Sequence, residues 1–278
     1  MRYLADELKG YLATESLFDD ACLLEGKIYR ELEGRRTLRF EIENKGYFVK
    51  LHFGVGWKEI IKNLFQFKVP VLGAKNEWMA VNRLRELGIS TLTPVAYANE
   101  GGNPATKRSC LITKALDNTM SLEDLALESS ISLSLRRQLN IELAGIARVM
   151  HNKGINHRDF YLCHFLLDMN CVTLVNEKYV HNRSVSLNLY LIDLHRAQMR
   201  ARTPKRWQIK DLSGLLFSAV DSGIKRNDLF RFIKVYTGKS LREVFSTDQA
   251  FWLAVNHKAK KLYLKDHGKE SVFLSQKL

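Results

Sequence analysis

The tripeptide His157-Arg158-Asp159, together with Asp193 further along the chain, offers the most direct chemistry in this sequence. An Asp in a loop that follows a helix can accept the proton of an attacking hydroxyl. A second Asp, delivered by the end of a later strand, can hold Mg²⁺ against the phosphates of a nucleotide. Such a tripeptide arises by chance in a basic protein, so the surrounding pattern carries the reading. Leu135, Leu139, Leu143, Ile146 and Met150 recur at helical spacing up to Gly154. The apolar run Phe165-Leu166-Leu167 follows the loop, and Leu191-Ile192 leads into Asp193.

Three further residues extend the set in chain order. Lys50 ends the strand-like run Tyr47-Phe48-Val49-Lys50-Leu51, where a Lys can touch the α- and β-phosphates of ATP. Glu77 sits near the first turn of a helix expected over 75–87 and is the best partner for Lys50, although a Glu there also simply favours the helix dipole. Asp211 falls in the first turn of an apolar helical pattern (Ile209, Leu212, Leu216, Ala219, Val220), where it can hold the backbone of the 157–159 loop. Each alone has a plain structural explanation. The order Lys50, Glu77, Asp159, Asp193, Asp211 points to phosphoryl transfer, with Asp159 as base, Asp193 as the metal ligand and His157 as support of the loop.

The elements that must position these residues fall into two parts. Residues 1–26 read as a weakly helical lead-in. Ile28 to Glu33 and Thr37 to Ile42 read as a hairpin, Glu43-Asn44-Lys45-Gly46 as a turn, and 54–72 as a loop and helix ending at Pro70. Ser121-Leu122-Glu123-Asp124 is a capping-box pattern opening a helix. Residues 169–188 read as a hairpin, and 226–278 as amphipathic helices ending in a basic tail (Lys258, Lys260, Lys261, Lys265). The expected fold is α+β and two-lobed like a protein kinase. An antiparallel-sheet N-terminal lobe covers 1–115 and a mainly helical C-terminal lobe covers 116–278.

Composition narrows the partners. The 278 residues are 46% hydrophobic and carry a net charge of +13, enough apolar content for a sizeable core and a balance that calls for an acidic partner. Arg196, Arg200, Arg202, Lys205 and Arg206 lie just past Asp193, where a kinase places its acceptor, and no acid occurs from Leu194 to Lys210. Arg guanidinium groups recognise carboxylates and phosphates bidentately; a solvated basic face is the plainer reading. Trp207 is either a sugar platform or a packed side chain. Cys22, Cys110, Cys163 and Cys171 lack Cys-x-x-Cys spacing and read as reduced thiols. No secretory signal or apolar span is evident, so the expected location is cytoplasmic, with at most peripheral membrane contact. No module that binds nucleic acid is visible.

Asn156 to Asp159, Cys163 to Leu167 and Ile192 to Gln198 resemble the lipopolysaccharide core heptose(I) kinase family of Gram-negative bacteria. So do Tyr29 to Glu33, Arg35 to Phe40, Lys58 to Leu64, Pro70 to Ala74, Arg206-Trp207 and Lys210 to Leu212. The likeness runs from about residue 27 to 245. It implies transfer of the ATP γ-phosphate to the first heptose of the inner core. The acceptor would be a lipid A-core lipopolysaccharide precursor at the anionic inner-leaflet surface, with Mg²⁺ as cofactor and acyl carrier protein as an acidic partner. The chain departs from the general kinase pattern in three places. Gly34-Arg35-Arg36 replaces a Gly-rich loop, so Arg35 and Arg36 are the candidates for phosphate contact. His164 stands where a metal-binding Asn is expected, and imidazole suits Mg²⁺ poorly. Leu194 and His195 follow Asp193 in place of Phe and Gly. Two other readings stay open: a kinase of another acceptor (an octulosonic acid, the second heptose or a small molecule), or a non-catalytic basic protein that binds membrane or nucleic acid.

Overall fold

The computed structural model describes residues 1–12, 15–32, 34–54, 56–65, 73–128 and 130–276. The expected helix end at Pro70, the resembling string Pro70-Val71-Leu72 and Glu33 lie outside them. The chain divides into two compact units: Met1–Glu86 with Thr91–Asp117 and Asp193–Arg196, and Leu87–Ser90 with Asn118–Ile192 and Ala197–Leu278.

The first unit is built on an antiparallel sheet. Its strands are β1 Arg2–Leu4, β2 Lys27–Leu32, β3 Arg35–Ile42, β4 Lys45–His52, β5 Pro94–Glu100 and β6 Arg108–Lys114, in the spatial order β1-β5-β6-β4-β3-β2. Period-two alternation on β4 buries Tyr47, Val49 and Leu51 against Leu38, Phe40, Val95 and Ile112. Burial of each such large side chain stabilises the fold by roughly 1.5–3 kcal/mol. The same alternation turns Lys50 to the opposite face of the sheet. Helices α1 Leu17–Cys22, α2 Gly56–Phe65 and α3 Lys75–Glu86 complete the unit. On α3, Trp78, Val81 and Leu84 are buried, and Trp78 stacks on Tyr97 with ring centres 4.8 Å apart.

The lead-in read as weakly helical starts instead as a strand. β1 pairs with β5 in the register Arg2↔Ala98, and Ala5 N donates to Val95 O at 2.7 Å. Three residues are too few to show a period, so only the backbone pairing reveals the strand. Gly34, at φ +74°, turns the β2–β3 hairpin, and a Cβ there would lie 2.5 Å from Gly54 O. Glycine is required at that position.

The second unit is mainly helical. It contains strands β7 Thr119–Ser121, β8 Ser130–Ile131, β9 Ile155–Asn156, β10 Phe165–Asp168, β11 Val172–Val175, β12 Lys178–His181, β13 Leu189–Leu191 and β14 Gln198–Met199. Its helices are α4 Leu122–Glu128, α5 Leu133–Asn152, α6 Lys205–Ala219, α7 Arg226–Thr237, α8 Leu241–Thr247, α9 Gln249–His267 and α10 Val272–Ser275. Ser121 Oγ caps α4, accepting from Asp124 N at 3.0 Å and donating to Asp124 Oδ2 at 2.6 Å. The periodic residues Leu135, Leu139, Leu143, Ile146 and Met150 form the buried side of α5. β10 lies between β13 and β7, and β11 and β12 form the expected hairpin with Asn176 and Glu177 at its turn. Ser213 on α6 donates to Val255 O on α9 at 3.1 Å. The lysines expected in a basic tail lie on α9.

Candidate active site

In the first unit, the Lys50 ammonium lies 2.5 Å from Glu77 Oε1 and 3.9 Å from Asp193 Oδ1. β4 aims Lys50 away from the core, and the first turn of α3 presents Glu77, whose side chain is only 1% exposed. A buried carboxylate without its cation costs about 3–5 kcal/mol, so the pair fixes Lys50 in one place. Asp193 sits at φ +60°, a left-handed conformation that Asp tolerates better than most residues. His195 Nδ1 donates to Asp193 Oδ1 at 2.6 Å, and Asn76 Nδ2 donates to His195 O at 2.9 Å. Leu194 is fully buried and anchors the turn. Together these contacts hold a carboxylate and an ammonium side by side, an arrangement suited to phosphate oxygens and a hard cation.

In the second unit, Asp211 organises the 157–159 loop. It is fully buried, and its two oxygens accept from His157 N at 2.6 Å and Arg158 N at 2.8 Å. Arg158 has φ +77°, a costly conformation for a long side chain, so the two bonds restrain a strained turn immediately before Asp159. His157 Nε2 donates to Ile192 O at 3.0 Å, and Ile192 is covalently next to Asp193. His164 Nδ1 donates to Asp159 O at 2.7 Å. That bond fixes the proton on Nδ1 and ties His164 into the loop. Sequence reasoning missed the next layer: His151 Nε2 lies 3.4 Å from Asp211 Oδ2, and its Nδ1 lies 2.9 Å from the Tyr236 hydroxyl. Burial pushes the Tyr236 phenol far above its ordinary range.

The candidate cations divide between the units. Arg36 pairs with Glu31 across the β2–β3 hairpin at 2.7 Å, and Arg35 stands opposite His52 in the β3–β4 register. Arg196 belongs to the first unit; Arg200, Arg202, Lys205 and Arg206 belong to the second, with Arg202, Lys205 and Arg206 exposed. Arg200 donates to Asn156 Oδ1 at 2.6 Å and to Gln198 Oε1 at 2.5 Å. Among the described residues no group of three or more His, Cys, Asp or Glu side chains forms a ready metal cage. Mg²⁺ in a kinase is held by one or two carboxylates plus the substrate's phosphates, so the Asp193 carboxylate fits that cation without a cage.

His52, at the end of β4, is 4% exposed. Burial, helped by Arg35, Lys50 and His195, pushes its imidazole down to about 3. Below pH 6.5 the unfolded chain takes up a proton that the folded chain refuses until about pH 3. Stability is therefore full above 6.5 and falls through that window, by up to about 1.4 kcal/mol per pH unit. Urea unfolding of wild type and His52→Leu between pH 7 and 5 is expected to show a shallower decline for the variant. Parallel declines would remove His52 from the account.

The chain is similar to known proteins over nearly its whole length. The model of the Lipopolysaccharide kinase (Kdo/WaaP) family matches residues 19–236. The lipopolysaccharide core heptose(I) kinase WaaP of Pseudomonas aeruginosa is 45% identical over 249 residues, covering 88% of this chain and 90% of that protein. The protein of the same name from Escherichia coli K12 is 42% identical over 263 residues, covering 92% and 96%. A solved structure of WaaP in complex with acyl carrier protein has a TM-score of 0.79 to this chain at 39% identity, covering 95% of this chain and 99% of that one. The sheet-bearing N-terminal part and the helical C-terminal part expected from the sequence are thus a fold shared with that structure.

Proposed function

Because this chain belongs to the lipopolysaccharide kinase (Kdo/WaaP) family, we propose that it transfers the γ-phosphate of ATP to the first heptose of the lipopolysaccharide inner core. The observation that carries the chemistry is the Asp211 clamp on the loop ending in Asp159. The acceptor is supported by the heptose(I) kinases that are 42–45% identical to this chain.

In this reading Asp159 orients the acceptor hydroxyl and takes its proton as the bond to phosphorus forms. Lys50, held by Glu77, binds phosphate oxygens of the nucleotide. Asp193, oriented by His195, holds Mg²⁺, which supplies neutralising charge to the phosphates when bound. Asp211, His157 and His164 keep the loop in shape. Arg35 serves phosphate contact from the β2–β3 hairpin, and Arg36 does so once released from Glu31. The acceptor is lipid-anchored, so the reaction belongs at a membrane surface, and a chain of net charge +13 suits the anionic inner face. Among the described residues no helix is long and apolar enough to cross a membrane.

The second unit also holds a partly open pocket of about 290 Å³ lined mainly by apolar side chains, among them Leu125, Leu139, Leu143 and Leu162, with Asn140 and Ser222 beside them and Arg136 and Asp228 paired at 2.8 Å in its wall. Its size and lining suit a flexible apolar chain. The acyl carrier protein bound to the related structure supports a carrier protein as partner here, its acyl chain entering this pocket. Carrier protein bearing an acyl chain should raise the melting temperature more than unloaded carrier protein, and Leu143→Trp should erase the difference. Equal shifts from both forms would discard the pocket's role.

The acceptor is tested with labelled ATP, Mg²⁺ and purified core lipopolysaccharide that lacks phosphate on its heptoses, beside the same acceptor truncated before the first heptose. Transfer to the first acceptor alone is expected. Transfer to the truncated one moves the activity to the octulosonic acid, and transfer to neither by folded, nucleotide-binding protein rejects both.

A further inference from the structure

The helix α2, Gly56–Phe65, turns most of its apolar side outward. At about 100° of rotation per residue, Ile60, Trp57, Ile61 and Phe65 fall within an arc of roughly 140°. A helix that packs on a core buries such an arc. Here Ile60, at one edge of it, is buried at 6% exposure. Trp57, Ile61 and Phe65, spaced i, i+4 and i+8, are 56%, 48% and 80% exposed. Lys58 follows Phe65 around the helix, at the other edge of the arc, and is exposed too.

The start of this helix is tied to the first unit. Gly56 N donates to Ala105 O at 2.9 Å, and Ala105 N donates to Asn103 Oδ1 at 2.9 Å. Gly54, at φ +95°, passes so close to that loop that a Cβ would lie 2.6 Å from Ala105 O. Phe53 N donates to Gly34 O at 2.9 Å, so α2 begins where the β2–β3 hairpin turns. The same end of the unit exposes Leu32 and Phe53. Single exposed apolar side chains are ordinary, but a row of large ones at one end of a unit marks a surface that something covers. Two copies of a chain at +13 repel each other, which disfavours a second copy as the cover. An anionic lipid surface attracts that charge and accepts the apolar row as well. A Trp at the rim suits the boundary between headgroups and acyl chains.

We propose that α2 is an interfacial helix that lies along an anionic lipid surface. Trp57, Ile61 and Phe65 enter the boundary between headgroups and acyl chains, and Lys58 stays at the level of the lipid phosphates. At ~1.5 Å per residue the helix is far too short to cross a bilayer, so it lies flat. In chain order α2 stands between β4, which carries Lys50, and α3, which carries Glu77. It therefore seats the nucleotide-binding unit at the surface that holds a lipid-anchored acceptor. This rests on the membrane setting proposed above and names the element that meets the lipid.

The test measures binding of the full chain to vesicles of phosphatidylethanolamine and phosphatidylglycerol, without ATP or acceptor. A double variant, Ile61→Ser with Phe65→Ser, should partition onto the vesicles about tenfold more weakly than wild type. Its thermal unfolding should match wild type, because both side chains are exposed. Lipids brominated near the headgroup end of their acyl chains should quench tryptophan emission in wild type, and Trp57→Phe should lose that quenching. A double variant that binds as wild type does, or quenching that survives Trp57→Phe unchanged, overturns the proposal. So does a double variant that keeps vesicle binding but changes its oligomeric state or loses acyl carrier protein, since α2 would then serve a second copy or a protein partner. Should the double variant fail to fold, the quenching of wild type against Trp57→Phe decides alone. No transfer is measured, so a failure of the heptose reading leaves this result standing.

Discussion

Asp159→Asn is expected to lower kcat about 10²- to 10⁴-fold, the range over which a positioned general base contributes. The substitution keeps the size and shape of the side chain and removes its capacity to take a proton. Three contacts that shape the loop do not involve the Asp159 carboxylate. Asp211 holds the backbone N–H groups of His157 and Arg158, and His164 bonds to the Asp159 backbone carbonyl. Thermal unfolding and stabilisation by Mg-ATP should therefore match wild type, and the acceptor KM should change little. A fall in kcat below about fivefold would mean that the hydroxyl loses its proton late and to another group, and Asp159 would then only orient the acceptor.

Asp211→Ala should have the largest effect on stability, about 3–5 kcal/mol in urea unfolding. Each backbone bond to this buried carboxylate is charge-assisted, at 2.6 and 2.8 Å, and its loss strands an N–H in an interior that holds no exposed part of Asp211. Arg158, at φ +77°, loses its restraint as well. Transfer should then fall at temperatures where the variant remains folded, because the loop before Asp159 relaxes. A variant that unfolds within about 0.5 kcal/mol of wild type would show that the loop is held by other contacts.

The parts of the site that were legible in the sequence are those set by local rules. Strand alternation turns Lys50 away from the face that carries Val49 and Leu51, and the length of α3 puts Glu77 in its first turn. Ile209, Leu212 and Leu216 mark the helix that carries Asp211, but α6 begins earlier, at Lys205 after Pro204, so Asp211 lies in its second turn and not in the first turn that the apolar period suggested. What escaped depends on contacts between distant segments. His151 and Tyr236 are 85 residues apart and meet because α5 packs on α7, and neither helix shows this in its own period. β1 is too short to declare itself, and Arg158, Arg200 and Arg206, which lie over the Trp207 ring, come from the loop after β9, from β14's end and from α6. A His at position 195 looked like a lost Gly; its Nδ1 bond to Asp193 makes it the group that orients the carboxylate.

The measurement that bears most directly on the central claim is the fragmentation mass spectrum of core lipopolysaccharide after reaction with the purified chain and ¹⁸O-labelled ATP. Labelled phosphate on the first heptose is the result expected. Labelled phosphate on the second heptose or on the octulosonic acid, with the first heptose unmodified, would contradict it.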